Sequence, residues 1–222
     1  ENGKKLSKRT GAASVMYYRD AGYLPEAVRN YLVRLGWSHG DQEIFSTEEM
    51  VALFDLDAIN KSASSLNPSK LDWINQQYMK AADPARLAEL LRWHCEQAEI
   101  DVSGGPALQA VIATHLERAK TLVEMVAQSR FFFAEFADYD EKSARKALVP
   151  AAVAPLALVR DKLAVLQYWS AVPIHAVVAA VCEELQVGMG KVGQPLRVAV
   201  AGSGSSPSID VTLEMLGREK TL

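Results

Sequence analysis

The sequence predicts a mostly α-helical protein built in two parts. Three observations carry that expectation: repeated helix-start signals in which Ser, Asn or Asp precedes a proline or a Glu, apolar residues recurring at helical spacing, and one strong break, Ser-Gly-Gly-Pro at 103–106. At 222 residues each part can bury its own core. Hydrophobic residues make up 49% and charged residues 23%, so a folded chain is expected, not a disordered one.

In order, Pro25 opens PEAVRNYLVRLG, with Val28, Leu32 and Leu35 on one face and Leu24 just ahead; all four are expected in the core. Gly36 stands where a left-handed cap would end that helix. STEEMVALF carries a capping box, Ser46 with Glu49. NPSKLDWINQQYM and DPARLAELLRWH repeat one device, Asn67 or Asp83 as cap with Pro68 or Pro84 at the first helical position. Beyond the break, ALQAVIATHLERAKTLVEMVAQ has apolar residues at 108, 111, 112, 116, 119, 122, 123 and 126, the period of one helix of about six turns. Further helices are expected near 141–149, 155–169 and 173–186, and a last one with Ser206 as cap and Pro207 at its first position. LRVAVAG, 196–202, alternates as a strand would. SRFFFAEF, 129–136, reads as helix-packing core in preference to a base-stacking platform.

The net charge is −3, with 12 Lys and Arg against 15 Asp and Glu in residues 1–103 and 12 against 12 thereafter. Neither half is a basic module, although a local positive patch is permitted. Cys95 and Cys182 match no metal spacing and read as buried thiols in a reducing compartment, and His39 lacks ligand-spaced companions, so no metal is expected. The longest apolar run, 147–159, is too short to span a bilayer and holds Pro150 and Pro155, so a soluble, cytoplasmic protein is expected. The first residue is Glu1 and not Met, which reads as a piece of a longer chain.

The segment GKKLSKRTG places Lys4, Lys5, Lys8 and Arg9 within six residues. It has no P-loop frame, because Gly3 and Gly11 enclose the lysines in the wrong order. A solvated basic terminus is the plain reading. The chemical one is a loop whose ammonium groups close over a triphosphate and stabilise charge as pyrophosphate leaves.

KLSKR at 5–9 resembles the second signature loop of class I aminoacyl-tRNA synthetases in its glutamyl variant. The continuation to WINQQYM, and the distal GKVGQPLRVAVAGSGSSPSIDVTLEMLGRE, are similar to bacterial-type glutamyl-tRNA synthetases. The resemblance is strong over 3–80 and 188–219. It implies a C-terminal portion: residues 1–12 ending the catalytic core, 13–103 a helical stem-contact and connecting region, and 104–222 an all-helical anticodon-binding domain. The nucleotide-binding domain, with its His-x-Gly-His signature, would precede Glu1.

By resemblance, Lys5 and Lys8 are the catalytic lysines and Lys8 contacts ATP, within the signature loop Lys5, Leu6, Ser7, Lys8 and Arg9. Arg197, Ser206, Pro207 and Ile209 occupy anticodon-contacting positions. Arg118 is a further candidate, with Lys120 and Arg130 nearby. Trp37, Ser38, His39 and Asp41 fall in the segment that meets the RNA's inner limb. The implied activity is ATP- and magnesium-dependent glutamate–tRNA ligation by the full-length monomer, acting on tRNA(Glu), with tRNA(Gln) left open; the piece alone is expected to be inactive. The resemblance also implies helix, not strand, at 196–202. Two rivals stand beside it, a class I lysyl-tRNA synthetase and a helical interaction scaffold without RNA.

Overall fold

The computed structural model describes residues 14–62 and 64–222. Among them it contains twelve α-helices and no strand, with one isolated bridge between Trp37 and Ile59. The helices are α1 Val15–Asp20, α2 Pro25–Gly36, α3 Thr47–Leu53, α4 Pro68–Ala81, α5 Pro84–Gln97, α6 Leu108–His115, α7 Leu122–Ser129, α8 Glu141–Ala147, α9 Val153–Ala164, α10 Ala171–Glu184, α11 Met189–Ala201 and α12 Ile209–Thr221. Two compact units result. One takes the residues up to Gln97 with Ile112–Ala127, and the other Ala98–Val111 with Gln128–Leu222. The chain passes between them inside α6 and again inside α7.

In the first unit the cap signals work as their chemistry requires. Ser46 Oγ accepts from Glu49 N at 3.0 Å while the Glu49 carboxylate accepts from Ser46 N at 2.6 Å, and Asn67 caps α4 ahead of Pro68. α2 packs on α4. Its buried stripe is Leu24, Ala27, Val28 and Tyr31, rotated from the expected face, so Leu32 is 51% exposed. Gly36 remains helical and is not a left-handed cap. Its carbonyl accepts from Asn60 N at 2.7 Å, and the chain leaves through extended Trp37. Trp37, Phe45 and Met50 form a small cluster with Val33 and Leu53.

Two wholly buried asparagines tie this unit together. Asn75 Oδ1 accepts from Leu24 N at 2.8 Å, and its Nδ2 donates to Lys120 O at 2.6 Å. Asn30 Oδ1 accepts from Phe45 N at 3.0 Å, and its Nδ2 donates to Glu43 O at 2.9 Å. Gly22 adds a backbone tie, because its carbonyl accepts from Leu122 N at 2.9 Å. With φ at +85°, an added Cβ would lie 2.5 Å from Val123 N, so only glycine fits. These ties explain why the expected six-turn helix is two helices. The chain turns at 116–118, and Leu122 spends its N–H on Gly22 instead of on Arg118's carbonyl.

The second unit is arranged around α10, which packs on α9, α11 and α12. Ile174, Val178 and Val181 of α10 meet Val159 and Leu163 of α9, Val192 and Leu196 of α11, and Leu213 and Leu216 of α12 in one core. Phe131 and Phe132 join that core from a 3-10 turn, Arg130–Phe132, and not from a helix. Residues 196–202, which alternate like a strand, close α11 instead. Gly202, at φ +70°, forms its left-handed cap and donates N–H to Val198 O at 2.9 Å. Helices expected near 141–149, 155–169 and 173–186 occupy Glu141–Ala147, Val153–Ala164 and Ala171–Glu184. Both cysteines are free and buried, and burial raises their thiol pKa values.

Asn75→Ala orphans a buried donor and a buried acceptor together. It should lower stability by about 2–4 kcal/mol in urea unfolding followed by circular dichroism, whereas Leu32→Ala should stay within about 0.5 kcal/mol of the parent. A pH dependence follows from His94, which is buried on α5 so that desolvation pushes its imidazole below the ordinary 6.5. The unfolded chain then binds the proton first as pH falls. Stability should therefore hold above about pH 6.5 and decline below it, and His94→Gln should flatten that decline in unfolding measured from pH 7.5 to 5.

Candidate nucleic-acid interface

α11 and α12 are joined by a short connection, residues 202–208, and the residues singled out in and beside it converge. Arg197 lies on the last turns of α11, half-buried. Its Nη1 donates to Ser206 O at 2.7 Å, to Ser206 Oγ at 2.5 Å and to the Pro207 carbonyl. A guanidinium withdrawn from water needs such acceptors, and charge-assisted bonds of this kind are the stronger sort.

Ser206 does not cap α12 as expected. The helix begins at Ile209 with Ser208 at the cap position, and no side-chain cap bond forms. Ser206 is instead buried. Its hydroxyl lies 3.0 Å from Thr212 Oγ1 and 3.0 Å from Pro207 O, and Thr212 donates to Pro207 O at 3.3 Å. The tertiary partners outcompete the local cap, because a hydroxyl spent on N–H groups of α12 would leave Arg197 and Thr212 short of a partner. Pro207 and Ile209 are buried too, Ile209 within the main core, whereas Ser205 and Ser208 face solvent. Close by, His175 Nδ1 on α10 stands 3.6 Å from Asp210 Oδ2 in the first turn of α12.

Neighbouring elements fix the connection. Gly202 O accepts from Asp140 N at 2.7 Å. Gly204 N donates to Ser143 Oγ at 3.1 Å, and Gly204 O accepts from Gln194 Nε2 at 3.1 Å. The ring of Phe136 lies 2.9 Å from where a Cβ on Gly202 would stand, so a side chain there is excluded by space as well as by φ.

The other candidates fall elsewhere. Arg118 is exposed in the turn that follows α6, not on a helix face, and belongs to the first unit, whereas Arg197 belongs to the second. Lys120 N donates to Glu124 Oε2 at 2.7 Å, and exposed Arg130 starts the 3-10 turn at 130–132. Trp37 is core, with ring centroids 5.3 Å from Phe45 and 6.2 Å from His39, while Ser38, His39 and Asp41 are exposed. Lys5, Leu6, Ser7, Lys8 and Arg9 lie outside the described residues. Among the described residues no group of three or more His, Cys, Asp or Glu is placed to hold a metal, and no helix is long and apolar enough to cross a membrane. Thr212, Ser143 and Asp140 were not foreseen. A hydroxyl in a helix interior and a cap residue carry no sequence signal for the distant loop each one holds.

The model of an anticodon binding domain matches residues 86–222, and that of the class I tRNA synthetase (E and Q) catalytic domain matches residues 1–73. A solved glutamate tRNA ligase from Elizabethkingia meningosepticum, in complex with its amino acid, is similar over 100% of this chain at 30% identity and a TM-score of 0.85. A glutamate-tRNA synthetase from Elizabethkingia anophelis matches at 31% identity and a TM-score of 0.82. The chain spans 47% of the length of each. With family models meeting it at both ends and the anticodon-binding match covering most of its length, the chain belongs to the class I tRNA synthetases of the glutamyl and glutaminyl type, whose anticodon-binding domain it carries.

Proposed function

We propose that this chain is the transfer-RNA-holding part of a glutamate–tRNA ligase, with the α11–α12 connection as the surface that meets the anticodon. The whole enzyme joins glutamate to tRNA(Glu) with ATP, in the cytoplasm and as a monomer. Its ATP, with magnesium, supplies an activated anhydride, and Lys5 and Lys8 are the residues that would steady the phosphates. Both lie outside the described residues, and the described chain itself binds and orients the RNA. Residues 13–103 are the stem-contact and connecting region in this reading, and 104–222 the anticodon-binding domain.

The gathering of Arg197, Ser206, Pro207 and Ile209 in and beside one connection supports this most. Sequence-specific recognition of RNA uses unpaired bases, whose edges need fixed donors and acceptors. A connection tied down by Arg197, Thr212, Ser143 and Gln194 supplies fixed groups at low entropic cost. Arg197 organises the turn from beneath, and its planar fork is what a lysine lacks. Ser205, Ser208 and the His175–Asp210 pair border the same connection at the surface. The glutamyl reading is preferred to the lysyl one because both solved neighbours named above are glutamate enzymes.

Removing the anchor should cost selectivity more than overall affinity. Arg197→Ala should lower the preference for a glutamate-accepting transfer RNA over the same RNA with a replaced anticodon by about 1–3 kcal/mol, measured by fluorescence titration. Thr212→Val keeps the shape but removes the hydroxyl, and should lose part of that preference, which Thr212→Ser restores. An equal loss of affinity for both RNAs in Arg197→Ala would reduce the connection to a structural feature. No binding by the parent chain in dilute buffer would favour the interaction scaffold.

A further inference from the structure

Beside the α11–α12 connection, α8 presents a cationic face with no protein partner assigned to it. Lys142, Arg145 and Lys146 stand at i, i+3 and i+4, one side of the helix, and with Glu141 they line an open concavity of about 350 Å3. All four are exposed. Arg145 pairs with Glu141, while Lys142 and Lys146 make no ion pair among the described residues. Asp140, just ahead of the helix, keeps its charge and acts electrostatically on Lys142, while its Oδ1 accepts from Ser143 N at 2.8 Å. The lining of the concavity carries three positive charges against one negative, and with Asp140 counted the face is still net positive.

What gives this face a role is its attachment. α8 packs on α11. The residue before α8 and a residue inside it hold the connection directly: Asp140 N donates to Gly202 O at 2.7 Å, and Ser143 Oγ accepts from Gly204 N at 3.1 Å. The cations are therefore set at a fixed position relative to Ser206 and Pro207. They do not hang on a separate mobile segment. An unpaired RNA loop that offers bases to one surface must carry its phosphates past the adjoining one, and a face of net positive charge there matches that charge.

We propose that α8 binds the phosphodiester backbone of the same RNA loop through Lys142, Arg145 and Lys146, giving affinity without reading sequence. This rests on the function proposed above. Ser143 and Asp140 are positioning residues in it, because they hold the cationic helix against the base-reading connection.

The test uses the full chain and a glutamate-accepting transfer RNA, titrated between about 50 and 200 mM salt. Lys142→Ala/Lys146→Ala should flatten the plot of log affinity against log salt by about 1.4, at about 0.7 for each single-strand phosphate released. The affinity lost relative to the parent should therefore be about sevenfold greater at the lower salt than at the higher. Preference for the cognate anticodon should not change, nor should thermal unfolding, since both positions are exposed and alanine suits a helix. Lys142→Glu/Lys146→Glu should weaken binding further. An unchanged salt slope in the alanine pair overturns the proposal while leaving the anticodon reading intact. Failure of the parent chain to bind at the lowest salt overturns both.

Discussion

Three oxygens meet a single nitrogen of Arg197, and the shape of the α11–α12 connection follows from that requirement. A half-buried guanidinium has lost much of its water and must be repaid in acceptors. The peptide carbonyls of Ser206 and Pro207 supply them only if the chain doubles back towards α11 there. Thr212 closes the underside by occupying the Ser206 hydroxyl, and Gly202 turns the corner in a conformation that the packed Phe136 ring reserves for glycine. The connection between the helices is consequently as determined as the helices are.

The first unit uses the same economy with neutral groups. Asn30 and Asn75 are each buried, and each binds one backbone donor and one backbone acceptor from distant segments. Such amides add little net energy while satisfied, but they are costly to orphan, so they select one arrangement over its neighbours. Gly22 contributes a backbone equivalent, accepting from Leu122 where a longer helix would otherwise run. In both units, specific shape comes from a few fully paired polar groups set among apolar helices.

Several helix starts were legible in the sequence from local signals. Pro25, the Ser46–Glu49 box and Asn67–Pro68 all act within one turn of themselves, and all stand where expected. What was not legible depends on partners remote in sequence. The turn at 116–118 is imposed by Gly22, nearly a hundred residues earlier. Leu32 has the right period but sits one step round from the stripe that faces α4. Alternation at 196–202 fits strand and buried helix alike, and Gly202 decides for the helix. Ser206 followed by proline has the form of a cap, yet its hydroxyl answers to Thr212 and Arg197. The grouping of Arg197 with Ser206, Pro207 and Ile209 came from family resemblance, since nothing in their spacing announces a shared site, and the parts played by Thr212 and by the cations of α8 emerged only from the geometry.

In the function proposed above, this connection is where the RNA's unpaired loop lands. Single-strand nuclease footprinting of a glutamate-accepting transfer RNA, with and without the chain, tests it most directly. The parent chain should protect the anticodon loop, and protect the cognate loop above one whose anticodon is replaced, a margin that Arg197→Ala should narrow. An anticodon loop cut equally with and without protein, or a cognate margin that survives loss of Arg197, would contradict it.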